Sequence, residues 1–343
     1  MPIHLRQTRT AILVIACVVT NILVASTALS SQPLVIAHRG ASGYLPEHTL
    51  AAAAMAHAMG ADYLEPDVVL SKDGIPVVLH DIHLETTTDV EERHPTRKRP
   101  DGRWYAIDFT AAEIKTLRVH ERVKDDLSGP AYPKRFPTEP RLFDVPTLEE
   151  FLILVQGLNK STGRTAGIYP ELKSPAFHQR EGQDIAAIVL LLLTRYGYTR
   201  ETDPVFIQSF DPTVLQRIKR DLRSPLKLIQ LIGDNSWNEA EVDYDAMRTA
   251  QGLKKVATYA HGIGLWLGHL LPVMSDKVVP NMTLIKSARA AGLKIHPYTA
   301  RADDVPKSVK DFPSYLDLIF GEMKVDGVFT DMPDQVVRYL HLK

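Results

Sequence analysis

The sequence predicts an α/β fold in which eight strand–helix units close into a parallel barrel. Three observations predict it. Short, mostly apolar runs alternate with helical runs about eight times between Leu34 and His341. Those runs repeatedly end in polar, reactive residues, the pattern of a barrel whose strand ends share one mouth. No Gly-rich nucleotide loop follows any run, so an open doubly wound sheet has no support. At 343 residues and 45% hydrophobic, the chain can bury the core such a barrel needs.

Residues 1–30 stand apart from that pattern. Arg6 and Arg9 precede an apolar run, Ala11 to Ala25, broken only by Thr20 and Asn21 and followed by small residues through Ser31. This is the layout of a secretory signal peptide, with cleavage expected near Ala28 or Ser30. An uncleaved membrane anchor is the rival, but the run is short of the ~20 apolar residues a span needs. Cleavage would leave residues 31–343 as one domain, with no stable membrane insertion and no cysteine, because Cys17 is the only one. It would also remove two arginines and no acid, taking the net charge from −1 to −3, a poor match for nucleic acid. The expected compartment is a bacterial periplasm.

Leu34 to Ala37 is the first strand, and it stops at His38-Arg39-Gly40. A proton-transfer group, a fixed cation and a conformationally free residue at a strand end mark a site. Thr49 then caps a helix ending near Gly60. The second strand region, YLEPDVVL from Tyr63, carries Glu65 and Asp67 on one face, with Pro66 between them predicting a bend or bulge. Asp73-Gly74, between two β-rich runs, predicts a hairpin or tight turn into IPVVLH, which ends at His80-Asp81.

Residues 82–146 break the rhythm. They are rich in charge and proline, with one helical run at Thr110 to Leu117, and read as an insertion over one end of the barrel, a lid or binding element. The basic cluster Arg93 to Arg103 reads as solvated surface. Alternation resumes with a helix from Val145, then a strand (Ala166 to Leu172) and a helix (Asp184 to Tyr196). Next come a strand (Pro204 to Phe210), a helix (Pro212 to Leu222), a strand (Leu226 to Ile232) and one helix over Tyr244 to Ala260. Strand Gly262 to Leu267, helix Asn281 to Ala291, strands Lys294 to Tyr298 and Gly327 to Thr330, and helix Asp334 to His341 complete the series.

The polar strand ends define the chemistry. Three carboxylates aimed at one point, Glu65, Asp67 and Glu171, repel unless a cation neutralises them, so they are candidate oxygen ligands for one divalent ion, Ca²⁺ or Mg²⁺. Arg39 and Lys173 supply fixed positive charge for an anionic substrate. His38 and His80 can donate and accept protons near neutral pH. Gln208, Trp266 and Tyr298 are the further strand-end candidates, taken as substrate contacts. A metal, two cations and an acid–base pair describe hydrolysis of a phosphate ester.

These residues lie in motifs that span almost the whole chain: AHRGASGYLPEHT (Ala37 to Thr49), YLEPDVVLSKDGIPVVLHD (Tyr63 to Asp81), GIYPELK (Gly167 to Lys173), QSFD (Gln208 to Asp211), HPYTAR (His296 to Arg301) and DGVFTDMPD (Asp326 to Asp334). In them the chain resembles the glycerophosphodiester phosphodiesterases, most closely the exported periplasmic members. The resemblance implies a (β/α)8 TIM barrel with an inserted subdomain after the second strand region. It implies metal-dependent hydrolysis of glycerophosphodiesters to glycerol 3-phosphate and an alcohol, with His38 and His80 as the acid–base pair, Glu65, Asp67 and Glu171 on the metal, and Arg39 and Lys173 on the phosphate. Two positions depart from the family pattern: Leu265-Trp266 follows Gly262-Ile263-Gly264 where relatives commonly read GIGP, and Pro66 separates Glu65 from Asp67. A phospholipase on the same barrel, acting on intact lipid, and a metal-holding barrel kept only for binding or adhesion are the alternatives. The first needs an exposed apolar rim, and the second is expected to have lost a histidine or a carboxylate.

Overall fold

The structure, a computed structural model, describes residues 32–343. The expected signal peptide lies outside the described residues. Among these, no helix is long and apolar enough to cross a membrane.

Eight parallel strands form the barrel. They are β1 (Leu34–His38), β2 in two pieces (Tyr63–Glu65 and Asp67–Leu70), β3 in two pieces (Gly167–Ile168 and Glu171–Leu172), β4 (Phe206–Ser209), β5 (Lys227–Ile232), β6 (Gly262–Leu265), β7 (Lys294–Ile295) and β8 (Gly327–Thr330). Each pairs with its neighbour in sequence, and β8 pairs with β1 from Leu34↔Gly327 to Ala37↔Thr330. Closure between β7 and β8 runs through Asp326 N–H to Ile295 C=O (3.0 Å) and Phe329 N–H to Pro297 C=O (2.9 Å).

Strand alternation sorts the side chains. Val35 and Ala37 face the helices, while Ile36, Tyr169, Phe206, Ile229 and Phe329 fill the barrel interior as a floor. Pro66 does interrupt its strand, and Pro170 interrupts the neighbouring one, because neither can donate to the ladder. The paired breaks lie beside the three acids, and the register then sets His38 opposite Glu65, Asp67 opposite Glu171, and Glu171 opposite Gln208.

The hairpin predicted at Asp73-Gly74 forms: Pro76–Val78 folds back antiparallel on the outer piece of β2, so this run is not one of the eight barrel strands. Two expectations about helices need correction. The helix expected over Tyr244 to Ala260 is two, Tyr244–Met247 and Ala250–Val256, because the Thr249 side chain caps the second and Gly252 lies against the carbonyls of Ala246 and Met247. The seventh unit has a helix at Phe312–Leu316 that carried no clear periodic signal.

Residues 82–146 carry a small core of their own, in which Leu84, Trp104, Phe109, Ile114 and Leu117 pack with Val69 and Val77 of the folded-back hairpin. The arginines of the basic cluster are paired with acids. Arg93 meets Asp89, Arg97 meets Glu113 and covers the Phe109 ring, Arg99 bridges Asp108 and Glu181, and Arg103 meets Glu85.

Candidate active site

The carboxyl ends of the strands enclose a cavity of about 260 Å³ lined by His38, Arg39, Glu65, His80, Glu171 and Gln208, with Trp237, Trp266 and Tyr298 on the opposite wall. Asp67 and Lys173 are buried beside it. All ten residues singled out at the strand ends therefore belong to one neighbourhood.

Glu65, Asp67 and Glu171 offer oxygens within 4.8 Å of one another, all three side chains buried. Burial, then the charges of its two partners, pushes the Glu65 carboxyl well above the usual range. Burial does the same to Glu171, against the pull of Lys173 2.8 Å away. Asp67 behaves oppositely. Burial works against its charge, but a 2.8 Å hydrogen bond from His48 Nε2 and the nearby His80 and Arg39 hold it well below the usual range. Its other oxygen, Oδ1, is buried without a hydrogen-bond partner, as is Gln208 Oε1. Hard acceptors, two reluctant to ionise together and two atoms unpaired, fit a divalent cation. Gln208 spends its Nε2 on Glu65 Oε1 (3.1 Å), and Tyr298 spends its hydroxyl on the Ile232 carbonyl (3.0 Å), so Tyr298 offers the cavity a ring face.

Each histidine is backed by a carboxylate. His38 Nδ1 lies 2.7 Å from Asp331 Oδ1, and His80 Nδ1 lies 2.5 Å from Asp81 Oδ1. Burial opposes the charge on both aspartates, yet Arg301 and Arg135 keep Asp331 ionised and Arg122 keeps Asp81 ionised. An ionised carboxylate only accepts, so each imidazole must donate from Nδ1 and turn Nε2 to the cavity. Burial, then Arg39, lowers His38 to about 4, and burial, Arg39 and Lys173 lower His80. Lys173 Nζ stands 3.3 Å from His80 Nε2 and, despite burial, is held firmly charged by Glu171 and Glu239.

The β1 turn explains how His38 and Arg39 are presented. Arg39 and Gly40 both take left-handed backbone, and the Arg39 N–H donates to Glu65 Oε2 at 2.7 Å. A Cβ on Gly40 would stand 2.7 Å from the carbonyl carbon of Ala52, so the close approach that needs glycine is to the first helix and not to a ligand.

Strand-end reading passed over Asp331, Arg301, Glu47, His48, Trp237 and Glu239. Asp331 directly follows β8, so the strand-end rule could have found it. Glu47 and His48 were inside the opening motif. Glu47 receives both oxygens' worth of contact from Arg39 (3.1 Å each) and fixes its guanidinium.

A closed parallel barrel that gathers two carboxylate-backed histidines, two fixed cations and three buried acids at one mouth is equipped for phosphoric ester hydrolysis. Sequence comparison narrows the class. The profile of the glycerophosphoryl diester phosphodiesterase family matches residues 38–335, and the chain belongs to that family. It is 41% identical over 336 residues to a glycerophosphodiester phosphodiesterase of Haemophilus influenzae, covering 92% of each chain. It is 37% identical over 329 residues to one from Treponema pallidum, covering 91% of this chain and 92% of that one. Among solved structures, a phosphodiesterase from Oleispira antarctica in complex with the product sn-glycerol-3-phosphate shares the fold at a TM-score of 0.62 and 22% identity, over 90% of this chain and 97% of that one. One from Agrobacterium tumefaciens does so at 0.57 and 24%, over 88% and 97%. The protein is an enzyme of the glycerophosphodiester phosphodiesterase class.

Proposed function

We propose that the enzyme hydrolyses deacylated phospholipids, such as glycerophosphocholine and glycerophosphoethanolamine, to glycerol 3-phosphate and the free alcohol, using His38 and His80 as an acid–base pair. The observation that carries this reading is the pair of carboxylate-backed histidines, each with Nε2 left for substrate, beside a buried acidic triad. Glu65, Asp67 and Glu171 would hold one divalent cation, Ca²⁺ in our reading with Mg²⁺ as the alternative. When bound, it supplies charge neutralisation and makes a substrate hydroxyl more acidic.

The residues divide the remaining work. Arg39 and Lys173 attract and orient the phosphate. His38, neutral at pH 7, takes the proton of the glycerol hydroxyl as that oxygen attacks phosphorus and the bond to the alcohol breaks. His80, once the substrate's anion offsets Arg39 and Lys173, hands a proton to the departing oxygen. Water then opens the resulting cyclic phosphate with the two roles exchanged. Trp266 and Tyr298 form the wall facing the alcohol. The leader-like residues 1–30 support export to the periplasm.

Purified protein with added Ca²⁺ should release glycerol 3-phosphate from glycerophosphocholine, and EDTA should abolish release. His38→Ala and His80→Ala should each lower kcat by about 10²- to 10⁴-fold. Turnover indifferent to either change would overturn the acid–base assignment. Trp237 and Trp266, 40% and 38% exposed, place aromatic rings at the rim, so an intact phospholipid belongs in the substrate panel as the test of a phospholipase.

A further inference from the structure

We propose that residues 82–146 are a working part of the acid–base machinery, with Arg122 and Arg135 as positioning residues that each hold the carboxylate orienting one histidine. The proposal rests on His38 and His80 being the proton-transfer pair.

Arg122 donates from Nη1 to Asp81 Oδ2 at 2.8 Å, on the carboxylate whose other oxygen takes His80. Its Nε and Nη2 run to the two oxygens of Glu47 at 2.9 and 2.7 Å, and Glu47 in turn grips Arg39. One guanidinium therefore braces both a histidine and the phosphate-facing arginine from behind. Arg135 makes the corresponding contact on the other side. Its Nη2 donates to Asp331 Oδ2 at 2.7 Å, on the carboxylate whose other oxygen takes His38, and its fork also closes on Asp303 at 2.8 and 3.1 Å. The Arg135 side chain is only 4% exposed and lies over the Tyr132 ring at 3.7 Å, so its own rotamer is locked by the same segment.

The chemistry requires such partners. A buried aspartate without a cation tends to take up a proton, and a protonated aspartate can donate to Nδ1. The imidazole would then be free to carry its proton on Nε2, which is the wrong tautomer for a base facing substrate. Arginine's planar fork suits the job because it can hold two acceptors at fixed angles. Arg301 also donates to Asp331 Oδ2 (2.7 Å), so Asp331 has a second support from the barrel that Asp81 lacks among charged partners in the described residues.

The two arginines should therefore fail differently. With metal-saturated enzyme and glycerophosphocholine, Arg135→Ala should lower kcat about 10-fold with KM within about twofold, because only His38 depends on it and Arg301 remains. Arg122→Ala should lower kcat about 100-fold, because Asp81 has no second cation among the described residues to replace it, and raise KM as well, because Glu47 and Arg39 loosen with it. Arg122→Lys, with a point charge but no fork, should recover only part. In an Asp81→Asn background the kcat cost of Arg122→Ala should vanish, and likewise for Arg135→Ala in Asp331→Asn. Wild-type kcat in both alanine variants, or a full additive loss on top of the asparagine variants, would overturn the proposal. If an alanine variant fails to fold by circular dichroism, the lysine variant carries the same kcat and cycle comparison. His38→Ala and His80→Ala are run alongside. If they keep the wild-type rate, the acid–base reading fails and this proposal with it; if they lose it while the arginine variants do not, only the positioning role fails.

Discussion

Glu121, which directly precedes Arg122 and feels the charge of both arginines, should make the protein's stability fall with rising pH. It is 2% exposed, its Oε2 has no hydrogen-bond partner, and burial followed by the charge of Glu47 pushes it up to about 8 against Arg135 and Arg122. In an unfolded chain a glutamate releases its proton near pH 4.3. Between those limits the folded state binds more protons than the unfolded state, so rising pH favours unfolding. At about 1.36 kcal/mol per unit, the penalty grows to about 5 kcal/mol by pH 8 and is absent below pH 4. Glu121→Gln keeps the shape of the protonated acid and cannot ionise. It should leave stability near pH 5 almost unchanged and raise it at pH 8 by about 3–5 kcal/mol, or about 5–10 °C in Tm for a chain of this size. Thermal unfolding of the metal-loaded enzyme from pH 5 to 9, followed by circular dichroism, measures this. Parallel pH profiles for the two proteins would refute the argument that Glu121 is folded as the neutral acid.

Gln208→Leu removes the donor that fixes Glu65 and an unpaired buried acceptor while leaving the three carboxylates in place, and should weaken Ca²⁺ binding by about 10- to 100-fold in a calorimetric titration while kcat recovers at saturating metal. Gly40→Ala should cost on the order of 2 kcal/mol or more in urea unfolding, from left-handed backbone plus contact with Ala52. Gly102→Ala, equally left-handed but facing open space, should cost only about 1 kcal/mol. Trp266→Ala removes a ring packed edge-to-face on Trp237 at 5.2 Å and should raise KM for glycerophosphocholine a few-fold with kcat nearly unchanged, which steady-state kinetics would show.

Much of the barrel was legible because its signals are local. Apolar runs, caps such as Thr49, and the turn at Asp73-Gly74 each depend on residues within a few positions. Polar residues ending those runs then pointed to the mouth, and His38, Glu65 and Glu171 were read this way. The antiparallel fold-back at Pro76–Val78 is legible too, because a hairpin is announced by the two residues of its own turn. The split of the helix at Thr249 is not legible in the apolar periodicity, because it is made by the Thr249 cap and by the close approach of Gly252 to the preceding turn.

The sequence by itself determined the inventory: eight βα units, two histidines, three carboxylates and two cations at strand ends, and the family to which their motifs belong. Only the tertiary structure decided what stands behind them. Asp331 reaches His38 from the far end of the chain, Glu47 holds Arg39, and Arg122 and Arg135 arrive from a segment with no periodic signal. Those partners are set by barrel closure and by ion pairing over separations that run from 8 residues for Arg39 and Glu47 to 293 for His38 and Asp331. Charge complementarity acts through space, so no spacing along the chain records it.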